Sequence, residues 1–117
     1  MFERVANTMY KEIKQRCRDE IICRGIFGKN SLTDLFCAIT EQGKQIDEYH
    51  FIGHSGMYGP MYGTTAYPEQ YSPHELKNLE IPFSANAKAY FHCCRSARWF
   101  APFFAEQFKV ETLGYYW

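Results

Sequence analysis

Short apolar runs that stop at glycine or a polar turn alternate, along this 117-residue chain, with stretches whose apolar residues recur at helical spacing. That alternation constrains the fold more than any other feature. Residues 21–27 (Ile-Ile-Cys-Arg-Gly-Ile-Phe, ended by Gly28) read as a buried strand, and Tyr49-His50-Phe51-Ile52, ended by Gly53, as a second. Residues 87–94 and 110–116 are expected to be a third and a fourth strand. Between them lie helical patterns. Ser31 is expected to cap a helix with Asp34 as its reciprocal partner; Leu32, Leu35, Phe36 and Ile39 form its stripe, which fades at Gly43. Ser72-Pro73-His74-Glu75 restarts a helix with cap, first-turn proline and return partner in place; Leu76 and Leu79 face inward and Pro82 ends it. Residues 96–108 form a further helix with Phe100, Phe103, Phe104 and Phe108 inward and Pro102 within its first turns. Ahead of the sheet, residues 2–18 carry Val5, Met9, Ile13 and Cys17 at a spacing of four, one face of an amphipathic helix.

Strands that alternate with helices imply right-handed βαβ units. The expectation is one α/β domain over residues 1–117: a three-layer sandwich, a mostly parallel sheet of about four strands with helices on both faces. In such sheets ligand sites lie beyond the carboxyl ends of the strands.

Composition removes several function classes. Thirteen Lys and Arg balance thirteen Asp and Glu, so the basic footprint of a nucleic-acid binder is missing. The longest apolar runs, such as residues 99–105, fall far short of the roughly 20 residues a membrane-spanning helix needs. The N-terminus is charged and amphipathic from the start, which reads as no secretion signal. Five cysteines, an odd number without a C-x-x-C pair, point to reduced thiols in the cytoplasm and give no sign of a zinc knuckle; no cofactor or metal is expected. Ten Phe, nine Tyr and two Trp are more aromatic mass than so short a chain easily buries, so a cleft or a subunit contact is expected to take part of it. Residues 53–71, rich in Gly and Tyr with two prolines, form a loop or small hairpin.

Two strand ends carry reactive side chains. One runs into Gly53-His54-Ser55-Gly56, the other into Cys94-Arg95-Ser96. On neighbouring strands His54 and Cys94 would project over one rim as base and nucleophile, the imidazole taking the thiol proton. A helix starting near Ser96 would lower the thiol pKa. The Gly56 and Cys94 amides are candidate oxyanion donors, and Ser55, Tyr58, Tyr62 and Arg95 candidate substrate contacts. Cys93, His50, His74 and His92 read as structural. Gly53-His54-Ser55-Gly56-Met57 also approaches a Gly-x-Ser-x-Gly elbow, but Met57 replaces the last glycine and Gly59-Pro60 forbids the helix that must follow.

With these residues in view, the chain resembles the caspase-like cysteine peptidases, in particular their bacterial branch of CHAT-type domains. The resemblance runs over roughly residues 21–113 and rests on Tyr49 to Gly56, on Tyr71-Ser72-Pro73-His74-Glu75-Leu76 and on Ala89 to Ala97. It implies a caspase-like core, peptide or protein substrates, His54 as base and Cys94 as nucleophile, with Cys93 in the small-residue position before it. A second function class is a non-catalytic binding or assembly module that uses the Tyr-rich loop, Tyr58 to Tyr71, as its contact surface. The aromatic last strand would be an open edge in a monomer, so a homodimer or larger assembly is expected.

Overall fold

The computed structural model describes residues 2–16, 20–26, 28–56, 59–63 and 67–115. Over these residues it is an α/β protein with four helices, α1 (Phe2–Arg16), α2 (Lys29–Glu41), α3 (Pro73–Lys77) and α4 (Phe100–Phe108). Strands β1 (Ile46–Ile52), β6 (Phe83–His92) and β7 (Glu111–Leu113) form a parallel sheet in the order β1-β6-β7. Two small antiparallel pairs, β2 (Ser55–Gly56) with β3 (Gly59–Pro60) and β4 (Tyr62–Gly63) with β5 (Pro68–Glu69), fill the connection between β1 and α3. Among the described residues no helix is long and apolar enough to cross a membrane.

The sheet forms where period-two alternation is strongest. Along β6, Ala87, Ala89, Phe91 and the following Cys93 are buried, while Lys88, Tyr90 and His92 point to the other face. On β1, Tyr49 and Phe51 join the same core and Glu48 and His50 alternate with them. Both crossovers step the same way across the sheet, and right-handed connections then carry α3 and α4 to one face. The core agrees: Leu32 and Phe36 of α2, Leu76 of α3, and Phe100 and Phe104 of α4 share one cluster with β6. Phe91 is its centre, 2% exposed and edge-on at 4.8 Å to both Phe100 and Phe104.

Local signals explain most of these elements. Ser72 accepts from the Glu75 N–H and the Glu75 carboxylate accepts from the Ser72 N–H, the reciprocal cap expected, with Pro73 in the first turn. Pro102 sits third in α4, where its missing N–H costs no helical bond.

Four expectations are corrected. The run at residues 21–27 makes no strand among its described positions, 21–26; Ile22 is 42% exposed and only Ile26 packs on the core. Among the described residues the sheet accordingly has three strands, not about four. Ser31 lies inside α2, which is capped at Gly28 without a side-chain bond, because Lys29 is tied down by Glu75 (2.6 Å) and by Tyr71, whose hydroxyl donates to the Lys29 carbonyl (2.6 Å). In α1, Val5 is exposed and the half-buried side is Phe2, Ala6, Met9, Tyr10 and Ile13, closer to a 3.6 period than to a strict four; Cys17 lies outside the described residues.

Candidate functional site at the carboxyl rim of β1 and β6

Strands β1 and β6 are direct parallel neighbours in the register His50↔Tyr90, Phe51↔Phe91, Ile52↔His92. The pairing runs to the rim, where the Gly53 N–H reaches the His92 carbonyl at 3.4 Å. Beyond it the two chain ends stay joined: the Ser55 hydroxyl donates to the Cys94 carbonyl at 2.6 Å. The segments bearing His54 and Cys94, forty residues apart in sequence, therefore leave the sheet side by side. Both residues are exposed. The His54 ring meets the Phe2 ring edge-on at 4.7 Å, so α1 reaches this rim.

The turn after β6 is held from beneath by Ser96, only 2% exposed. Its hydroxyl lies 3.0 Å from the Phe91 carbonyl and 2.9 Å from that of Cys93, and it accepts from the Tyr115 N–H at 2.9 Å. The Ala97 N–H donates to the Tyr115 carbonyl (2.8 Å) and the Ala101 N–H to the Ser96 carbonyl (2.7 Å). Within this frame Arg95 takes a left-handed conformation, φ 58°, which turns Cys94 and Arg95 outward while Cys93 and Ser96 stay buried. The two adjacent cysteines thus differ sharply. Burial pushes the Cys93 thiol up to about 11, against a smaller opposing hydrogen bond from Ser96. Cys93 is a core residue, as the sequence implied; Cys94 is open to solvent.

The remaining candidates fall in different places. Gly56 pairs with Gly59, and because the Met61 N–H bonds the His54 carbonyl (2.9 Å), the antiparallel alternation makes 56/59 a hydrogen-bonded pair and turns the Gly56 amide toward its hairpin partner. Gly59 itself is obligatory: its φ is +93° and the Phe100 ring fills the space a Cβ would need. Ser55 spends its hydroxyl on Cys94 and enters a hairpin, not a helix, which removes the nucleophile-elbow reading. Tyr58 lies outside the described residues. Tyr62 is corrected from substrate contact to core residue: it is 8% exposed, edge-on to Phe51 and Tyr71, and burial drives its phenol well above the usual value. Tyr71 is buried too, so of the three loop tyrosines among the described residues only Tyr67, 81% exposed, is open to a partner. Helix α4 begins at Phe100, not near Ser96; the intervening turn leaves Cys94 outside the first helical turn, where the dipole acts most strongly.

The sequence read His50 and His92 as structural, without placing them together. They meet at 2.9 Å, Nδ1 to Nε2, with Glu48 at 2.6 Å from His50 Nε2 and the Tyr115 hydroxyl at 3.2 Å from His92 Nδ1. Burial, and next the neighbouring His50, lower the pKa of His92. The available signal was alternation: Glu48 and His50 on one strand, Tyr90 and His92 on the other, all off the core face. Among the described residues no three His, Cys, Asp or Glu side chains gather as a metal site. No family model matches the chain, and neither a curated protein nor a solved structure matches it.

Proposed function

We propose that this protein is a caspase-like cysteine hydrolase acting on peptides or proteins, with Cys94 as nucleophile and His54 as general base. The observation that carries it is the junction of the two strand ends: β1 and β6 are paired to the rim, and Ser55 bonds the Cys94 carbonyl beyond it. An exposed thiol on an outward turn and an exposed imidazole on the adjoining segment are the two groups the chemistry requires. In the reaction, His54 takes the thiol proton and the Cys94 sulfur attacks the substrate carbonyl. The oxyanion accepts from the Cys94 N–H. His54 then gives the proton to the leaving amine, and water, activated by the same imidazole, cleaves the thioester. The exposed Arg95 guanidinium beside the nucleophile favours substrates with an acidic group near the cleaved bond.

The same proposal extends to the surroundings: a three-layer caspase-like core with α1 as the element on the second face, a cytoplasmic setting, and a homodimer formed through the edge strand β7. Burial of Tyr62 and Tyr71 weighs against the alternative of a non-catalytic module that binds through its Tyr-rich loop.

The test is alkylation of the native protein with iodoacetamide near pH 6, read residue by residue by mass spectrometry. Cys94 is expected to react at least tenfold faster than Cys23 and Cys37, and His54→Ala to abolish that advantage. Cleavage of a mixed peptide library should disappear in Cys94→Ser. Equal slow labelling of Cys23, Cys37 and Cys94, with no cleavage by the wild type, rules out the hydrolase.

A further inference from the structure

On the sheet face away from the core, two imidazoles from neighbouring strands point ring nitrogens at each other. His50 stands on β1 and His92 on β6, and His50 Nδ1 lies 2.9 Å from His92 Nε2. Each ring is held at its other end by oxygen. The Glu48 carboxylate is 2.6 Å from His50 Nε2, and the Tyr115 hydroxyl is 3.2 Å from His92 Nδ1. The two ring planes agree within 9° and the centroids are 5.2 Å apart, so the rings lie nearly end to end. Tyr90 lies flat against His50, at 4.5 Å and 5°, and limits tipping of that ring out of its plane.

An imidazole that ligates a metal offers one bare nitrogen to the ion and donates its other N–H to a carboxylate or another oxygen, which fixes the tautomer. Both rings are placed for that division. Carboxylate and hydroxyl oxygens each accept, so Glu48 and Tyr115 can take the outer protons of His50 and His92 whatever else they touch. The inner nitrogens are then both bare. Without an ion, two bare nitrogens repel at 2.9 Å, and one of them must carry a proton. Moving that proton to the outer nitrogen changes the tautomer and leaves the charge of each ring as it was. Burial, and next the neighbouring His50, lower the pKa of His92, which favours the neutral, ligating form. Two Zn–N bonds of about 2.0–2.1 Å at a tetrahedral angle place their nitrogens about 3.3 Å apart, so the gap must open by about 0.4 Å. The His50 side chain is 17% exposed, and a small swing of the two rings supplies that opening.

The geometry points to a two-histidine site for a borderline divalent ion, Zn2+ or Cu2+, held by His50 Nδ1 and His92 Nε2 and clamping β1 to β6. Imidazole nitrogen selects these ions over Ca2+ and Mg2+, which take oxygen. Glu48 lies at the far nitrogen of His50, so it acts as the acceptor behind the ligand and offsets part of the ion's charge. Two protein ligands are fewer than the three of a catalytic zinc site, and no three-residue set gathers among the described residues, so water fills the remaining positions. Of the other charges on this face, Lys88 of β6 and Glu111 of β7 pair loosely at 3.9 Å. Helix α1 packs against β1, and its charged residues Glu3, Arg4, Lys11, Glu12 and Lys14 are exposed. The site uses neither His54 nor Cys94 and is independent of the hydrolase reading.

The test is titration of the whole chain, labelled with 15N-histidine, with Zn2+ at pH 7, followed by NMR of the ring nitrogens. At saturation His50 Nδ1 and His92 Nε2 should be the metal-bound nitrogens, while His50 Nε2 and His92 Nδ1 carry the protons. His50→Gln and His92→Gln should each weaken this binding at least tenfold, with amide spectra confirming an intact fold. Glu48→Gln should weaken it about tenfold, the lower end of the cost of losing an acceptor behind a ligand. Cys94→Ser, which removes a thiol that competes for Zn2+, should leave the histidine shifts as they are in the wild type, so the site and the hydrolase stand or fall separately. Binding through the opposite ring nitrogens overturns the proposal. So does Zn2+ held only by His54, His74 or the cysteines, an absence of shifts at His50 and His92 in excess Zn2+, or an affinity unchanged in His50→Gln or His92→Gln.

Discussion

Ser96→Ala is the substitution that most directly probes the turn under Cys94. The hydroxyl it removes is buried and makes two kinds of bond: one proton shared between the Phe91 and Cys93 carbonyls, and one accepted from the Tyr115 N–H. Two net hydrogen bonds at about 1 kcal/mol each give a loss of about 2 kcal/mol. For a chain of this size that is a fall in Tm of roughly 8 °C. Gly114→Ala should injure the same joint from the other side, because its new Cβ would lie 2.5 Å from Ser96 Oγ and 2.8 Å from the Ala97 nitrogen. The double variant relieves only the first of these contacts, so its loss should be smaller than the sum of the two single losses. Urea denaturation measures the stabilities, and alkylation of Cys94 against Cys37 as internal control reads the turn. The expected result is a destabilised protein in which the rate ratio of Cys94 to Cys37 changes. A loss below about 0.5 kcal/mol with an unchanged ratio would show that Ser96 is not the support described.

Two further outcomes follow from the same geometry. Cys93, buried with its thiol pushed up to about 11, should stay unmodified by iodoacetamide in the native protein and label fully in urea; rapid native labelling would contradict its place in the core. The Lys29–Glu75 pair should make stability depend on pH at both ends. The Glu75 carboxyl is held below its usual 4.5 chiefly by its hydrogen bond from Lys29, so that contribution is present above pH 4.5 and is lost as pH falls through the lowered value. The Lys29 ammonium is raised above 10.5 by Glu75, so its contribution holds below pH 10.5 and is lost as pH rises through the raised value. Both groups are partly exposed, so Lys29→Met should cost under about 1 kcal/mol near pH 7 and less at pH 3, measured by urea midpoints; an equal cost at both would exclude the ion pair as the cause.

How much was legible beforehand varies with the range of the forces involved. The cap at Ser72 and Glu75, the inward face of α4 and the tolerated Pro102 were readable because each depends on residues within one helical turn. The start of α2 was not, because Lys29 is held by Tyr71 and Glu75, more than forty positions away. Residues 21–26 have the composition of a strand, but a strand also needs pairing with a neighbour, and they pair with neither outer strand of the β1-β6-β7 sheet. Tyr62 was misjudged for a related reason. A tyrosine in a Gly-rich loop reads as exposed until the hairpins fold back and seal it against Phe51 and Tyr71.

The candidate site shows the same division. His54 and Cys94 were recognisable by sequence because each closes an apolar strand run, and Cys93 read as structural because a free cysteine is commonly a small core hydrophobe. What only the tertiary structure decided is which strands are neighbours, and so which distant side chains meet. Register placed Ser55 on the Cys94 carbonyl and His50 against His92, two contacts that no local pattern encodes. Backbone preference acts over a few residues, whereas pairing between strands is chosen by the burial of the whole sheet.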